Sequence, residues 1–177
     1  MMKQLRRMVV VGILFSILTV NVAYASAPVW KGVETTHSEG ILLKNGERYS
    51  EDSFEEYARG TILSAGILRI TNEEDGTLHI SVDTAAHKQV DKIYQTVYLE
   101  MWDETDEDWV QIGSWDVERS KEEVNNDLTS YHVGFTVSGC EVNRYYRAQA
   151  VHLVQLGDNM EGKSTKTNGV LLTDHEV

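Results

Sequence analysis

Asp103, Glu104, Asp106, Glu107 and Asp108 put five carboxylates into six residues. Carboxylate oxygens gathered in a loop are the ligands that Ca2+ takes. Asp103, Asp106 and Asp108 are therefore the candidate metal ligands. Their spacing is not that of an EF-hand loop, and no glycine interrupts the run. Consecutive acids alternate sides on a strand and splay outward in a tight turn. The expectation is a solvated hairpin tip with no bound Ca2+ and no other cofactor. A charged tip also discourages pairing between sheet edges. The second set is aromatic. Tyr98 and Trp102 precede the tip, and Trp109 and Trp115 follow it. On adjacent strands these four rings can stack across the hairpin. If that face is open, it is a binding platform for a sugar ring or a partner protein. If residues 26–58 cover it, the rings are core.

Other chemistries lack their residues. The sequence has no Gly-x-Ser-x-Gly elbow and no His-Glu-x-x-His pair. The six histidines (37, 79, 87, 132, 152 and 175) are scattered, with no pair at ligand spacing. His79 and His132 alternate with apolar neighbours, so both are predicted on a sheet exterior without a metal role. So acidic a chain always offers carboxylate pairs of the glycosidase kind. A small sandwich with no cleft-forming insertion does not favour that use. No catalytic residue is assigned, and the expectation is a protein that is not an enzyme. Cys140 is the only cysteine, so no intrachain disulfide forms; the thiol is expected to be free rather than to join two chains.

These residues need strands to hold them. The organising stretch is Arg144 to Gln155, with Tyr146, Ala148 and Ala150 on one side and Arg147 and Gln149 on the other. A period of two with small apolar residues on one face predicts a central strand packed on a second sheet. A turn at 157–159 leads to a partner run, Ser164 to Leu172. Further strands are predicted at Ile62–Thr71, Leu78–Val82, Ile93–Trp102, Trp109–Val117 and Tyr131–Val137, with polar or glycine turns between them. Glu118–Asp127 reads as a loop. Ser53-Phe54-Glu55-Glu56 has the capping-box pattern, so a two-turn helix is allowed there. The expected fold is all-β: an antiparallel sandwich of about seven strands over 59–173, with 26–58 as an N-terminal arm.

The start of the chain reads as a secretory signal peptide over residues 1–25. Lys3, Arg6 and Arg7 precede an apolar run from Met8 to Val20, and Ala23-Tyr24-Ala25 is a small-x-small cleavage site. Ala25-Ser26-Ala27 is a second such site, but cutting there would leave Pro28 first. The apolar run is too short to span a bilayer, and no other run of that kind follows. The expectation is a secreted, extracellular protein, monomeric, with no membrane span after cleavage. Loss of the three basic residues takes the net charge from −12 to −15. That balance excludes a nucleic-acid partner, which needs a basic footprint, and disfavours anionic polymers.

Two resemblances follow from these residues. Tyr146-Arg147-Ala148-Gln149-Ala150-Val151-His152, a loop with Gly162, and Ser164-Thr165 resemble the last two strands of a fibronectin type III domain. That implies an immunoglobulin-like sandwich. Arg144 stands where such domains carry a corner tyrosine, and the early-strand tryptophan is missing from Leu78–Val82. The signal segment, Val97-Tyr98-Leu99-Glu100, the acidic tip, Trp109, Ser114-Trp115, Tyr145-Tyr146-Arg147 and Thr167-Asn168-Gly169-Val170 resemble a family of small secreted Gram-positive bacterial proteins of unknown function. It implies an address and a domain plan, and no activity.

The combined expectation is an extracellular binding or surface-interaction module whose ligand is a protein or a glycan. The competing readings are a calcium-stabilised carbohydrate-binding module and a small secreted hydrolase. The secreted chain should begin at Ser26. An N-terminal mass spectrum that retains Met1 to Ala25 overturns the signal assignment.

Overall fold

A computed structural model describes residues 41–176 apart from 45, 59 and 60. The segment read as a signal peptide, 1–25, together with Trp30 and Val33, lies outside the described residues. The described chain forms nine strands: β1 Tyr49–Glu55, β2 Leu63–Asn72, β3 Leu78–Ala86, β4 Lys92–Asp103, β5 Asp108–Ser120, β6 Ser130–Val137, β7 Tyr145–Leu156, β8 Asn159–Lys166 and β9 Val170–Leu171. They build two antiparallel sheets, β1-β2-β3-β6 and β5-β4-β7-β8, with β9 added to the start of β7. The chain changes sheet between β3 and β4, between β5 and β6, and between β6 and β7. The protein is an all-β sandwich.

The alternation read from the sequence sets the inner faces. Leu78, Ile80 and Val82 of β3 are fully buried, while His79, Ser81 and Asp83 between them are not. Leu68 and Ile70 of β2, Val97 and Leu99 of β4, and Tyr146, Ala148 and Ala150 of β7 complete one apolar cluster. Ile62, Leu63, Val90, Ile93, Leu128 and Val154 form a second cluster. Where β8 gives way to β9, the Thr167 hydroxyl accepts a hydrogen bond from Ala148 N–H at 2.9 Å, so the interrupted ladder leaves that donor satisfied.

A buried polar group interrupts this core. His152 lies on the inner face of β7, two steps beyond Ala150, and is 0% exposed. Its Nδ1 is 2.8 Å from Thr84 Oγ1 on β3, and its Nε2 is 2.9 Å from Thr165 Oγ1 on β8. Gln95 Nε2 donates to Thr84 Oγ1 at 2.9 Å and to the Tyr131 carbonyl at 3.0 Å. Phe54 stands edge-on to His152 at 5.4 Å. Both rings close over Gly66: a Cβ there would fall 2.5 Å from Phe54 and 2.9 Å from His152.

Three expectations are corrected. Ser53–Glu56 is not helical; Ser53–Glu55 belong to β1, which pairs with β2 along its whole length. The pairing with β2 and the packing of Phe54 on His152 outweigh a weak local capping signal. Residues 49–55 of the segment read as an arm are thus an edge strand of the four-stranded sheet. Glu118–Asp127 is not all loop, since β5 runs to Ser120 and Lys121–Val124 is a 3-10 turn ended by Asn125 and Asn126 at positive φ. At the start of β7 the Tyr146 hydroxyl donates to the Glu141 carbonyl at 2.9 Å. Burial pushes its phenol up to about 12, so it keeps the proton it donates.

Burial also holds the His152 imidazole well below its ordinary 6.5, at about 4. Between those values the unfolded chain binds one more proton than the folded chain. Stability from this residue is therefore present above 6.5 and lost as pH falls toward about 4. The slope approaches ~1.4 kcal/mol per pH unit. His152→Gln should be less stable at neutral pH but should lose stability less steeply across that window. Denaturant titrations at pH values spaced through it measure both slopes, and equal slopes overturn the assignment.

Candidate functional site

The β4–β5 hairpin carries both residue sets singled out in the sequence. Outside the tip, the two strands pair from Lys92↔Ser120 through Leu99↔Gly113, then resume one residue out of step at Glu100↔Gln111 and continue to Asp103↔Asp108. Ile112 is the extra residue of a β-bulge. A one-residue shift sends every following side chain to the other face. Trp115 and Trp109 are an even number of positions apart, and an unbroken strand would place them together. The bulge separates them.

Trp115 turns inward. Its ring lies 4.9 Å from Phe135 of β6 and packs on the main apolar cluster. Trp109 turns outward and pairs directly with Trp102, ring centroids 5.4 Å apart and planes at 64°. Tyr98 also faces outward, half-buried, opposite Ser114. The structure therefore brings Trp102 and Trp109 into contact, keeps Tyr98 on their face, and sends Trp115 into the core.

Two residues absent from the aromatic set complete the cluster. The Arg147 guanidinium lies over the Trp109 ring at 4.4 Å, and its Nε donates to Glu100 at 2.5 Å. Arg147 is 7% exposed, and that burial is compatible with its charge because Glu100 and the indole face both meet it. Lys166 of β8 lies on the same outer face. Burial first, and then Arg147, hold its pKa below the ordinary lysine value. Arg147's outward position was legible from the alternation in β7. Its partner Glu100 was not, because only the β4–β7 register places the two directly opposite.

The other edge of Trp109 touches chain from both ends of the domain. Its ring lies over Gly169, close to Leu42. Leu42 forms a parallel bridge with Gly169, tied by Leu43 N–H to Gly169 O and Gly169 N–H to Ile41 O, each 2.9 Å. Chain from the N-terminal side thus borders the cluster, while Tyr98, Trp102 and Trp109 stay partly exposed.

The acidic tip uses its carboxylates on itself. Asp103 Oδ1 accepts from Thr105 N–H at 2.8 Å and Asp106 N–H at 3.4 Å, and those bonds lower its pKa. Asp108 Oδ1 accepts from Trp109 N–H at 2.7 Å. Asp106 is exposed, and Glu104 is 3.4 Å from Arg144. Among the described residues no group of three or more His, Cys, Asp or Glu side chains gathers to hold a metal ion. Cys140 is half-buried beside a groove of about 360 Å3 between β5 and the β6–β7 connection, and burial pushes its thiol up.

The molecule is thus a two-sheet β-sandwich with a clamped aromatic pair on one outer face. The chain belongs to a family of unknown function, DUF6147, whose model matches residues 35–170. No curated protein is detectably similar to it.

The tip geometry generates an expected outcome. Millimolar Ca2+ should shift the melting temperature no more than NaCl of equal ionic strength, because screening is nonspecific. A specific ion at a hundredfold excess over its dissociation constant adds about 2.7 kcal/mol. Paired melts of the wild type and Asp106→Asn decide it. A Ca2+ stabilisation beyond the salt control that Asp106→Asn abolishes overturns the self-capped tip.

Proposed function

We propose that this chain is a secreted, non-enzymatic binding module that engages its ligand with the outer face of the five-stranded sheet. The observation that carries the reading is the Trp102–Trp109 pair, partly exposed and clamped by Arg147 and Glu100. Aromatic side chains fixed in advance lose little freedom on binding and offer large contact area. Gln111, Gln149, Tyr145 and Lys166 on the same sheet face add hydrogen-bonding groups around them. Such a mixture suits the alternating apolar and hydroxylated faces of a sugar ring. The net charge, −15 once residues 1–25 are removed from the −12 of the full sequence, favours a neutral glycan over an anionic one.

Three further observations support the wider reading. Lettered in chain order from β2, the sheets run A-B-E and C′-C-F-G, which agrees with an immunoglobulin-like plan and with the fibronectin type III resemblance. The buried His152 has both ring nitrogens engaged by threonine hydroxyls, so it does not serve a surface reaction. The basic and apolar start of the sequence supports export.

Affinity electrophoresis through gels containing neutral polysaccharides tests the face. At least one polysaccharide should retard the wild-type chain, and Trp102→Ala should relieve the retardation about tenfold while the melting temperature shows a folded domain. If no polysaccharide retards it, a photo-crosslinker at Tyr98 that captures a discrete extracellular protein moves the ligand class from glycan to protein. Failure of both arms, or retardation unchanged in Trp102→Ala, overturns the reading.

A further inference from the structure

The opposite outer face, on the four-stranded sheet, holds a second arrangement. His79 of β3 and His132 of β6 are not cross-strand partners; His79 pairs with Thr136 and His132 with Asp83. Between them, Ser81 pairs with Gly134. Because position 134 has no side chain, both imidazoles lean into the space above it. A methyl group on Gly134 would stand 3.3 Å from His79 Nε2 and 3.5 Å from His132 Nε2. The two nitrogens thus border one notch of atomic size on an exposed surface.

We propose that this notch binds a late first-row divalent cation such as Zn2+ or Ni2+, through His79 Nε2 and His132 Nε2. The tautomer of His132 is set by its neighbour. Asp83 Oδ1 lies 2.8 Å from His132 Nδ1, and a carboxylate only accepts, so Nδ1 carries the proton. In the neutral ring Nε2 then carries the lone pair, and this nitrogen borders the notch. A carboxylate behind a ligating imidazole is the outer support such sites use to orient the ring and strengthen the donor. Among the described residues no protein group hydrogen-bonds either Nε2. Metal–nitrogen bonds are about 2.0–2.1 Å long, so the two rings would rotate to close on one ion above the Gly134 backbone.

The surroundings fit a cation. Arg69, on the strand beyond Ser81, turns to β1, where it pairs with Glu51 at 2.7 Å and lies over Tyr49 at 4.8 Å. Asp83 is the charged side chain directly supporting the notch. Two imidazoles leave coordination positions for water, and imidazole donors select Zn2+, Ni2+ or Cu2+ over the oxygen-seeking Ca2+ and Mg2+. The other described histidines are engaged elsewhere: His87 with the Glu56 carbonyl, His152 in the core and His175 with Asp174.

Calorimetric titration of the full chain with Zn2+, with Ca2+ as the control for carboxylate binding, tests the site. The expected result is one Zn2+ per chain, perturbing the imidazole resonances of His79 and His132 and not that of His152. His79→Gln and His132→Gln should each weaken Zn2+ at least about tenfold, and Asp83→Asn should weaken it less. Gly134→Ala should also weaken it, because the methyl group fills the notch while the strand tolerates alanine. Zn2+ binding unchanged in both histidine variants, displacement of Zn2+ by equimolar Ca2+, or no binding at all overturns the proposal.

Discussion

The constraint on which the sandwich depends is the need to satisfy His152 inside its core. A buried imidazole without partners is strongly destabilising, and this one has a hydroxyl at each nitrogen. Those hydroxyls come from β3 in one sheet and β8 in the other, while Gln95 of β4 joins through Thr84. The network therefore ties both sheets at one level and in one register. A slip of either sheet by one residue would point Thr84 or Thr165 outward and leave the imidazole unpaired. Apolar packing alone is less particular, because aliphatic side chains tolerate exchange of neighbours. The two apolar clusters supply the driving force, and the polar group among them helps select one arrangement.

The sides of the sandwich are closed by different means. Along β1 and β8, side chains cap backbone donors: Asp52 accepts from Lys166 N–H, Ser50 from Asn168 N–H, and Glu161 from the N–H groups of Ile62 and Leu63. Lys163 pairs with Glu56 and covers Phe54 on the same side. Along β5 and β6, Trp115 and Phe135 fill the gap with ring surface. That second closure depends on the bulge at Ile112. By sending Trp115 inward and Trp109 outward, one inserted residue builds both a core plug and a surface cluster from a single strand.

The two outer faces differ in chemistry. One presents aromatic rings held by an ion pair; the other presents two imidazoles over a glycine. The acidic tip stands apart from both. Its carboxylates cap the turn that joins β4 to β5, and so help to position Trp102 and Trp109 at the two strand ends.

The sequence by itself determined the strand class, the inner faces and the charge. A period of two is local: Leu78, Ile80 and Val82, or Tyr146, Ala148 and Ala150, announce their face without knowledge of any partner. The same rule extended two residues past Ala150 reaches His152, so its burial was legible though its partners were not. Only the tertiary structure decided what depends on register between distant segments. Phe54 entered a strand because β2 and His152 were there to receive it. The Tyr146 hydroxyl found a partner because the β6–β7 connection brings the Glu141 carbonyl to it. Trp109 and Trp115 parted because β4 imposed a bulge, and Arg147 met Glu100 because β4 and β7 align them. His79 and His132, separated by more than fifty residues, share a notch because β3 and β6 set Gly134 between them. Spacing along the chain cannot encode such pairs, since strand pairing and not sequence distance brings them together.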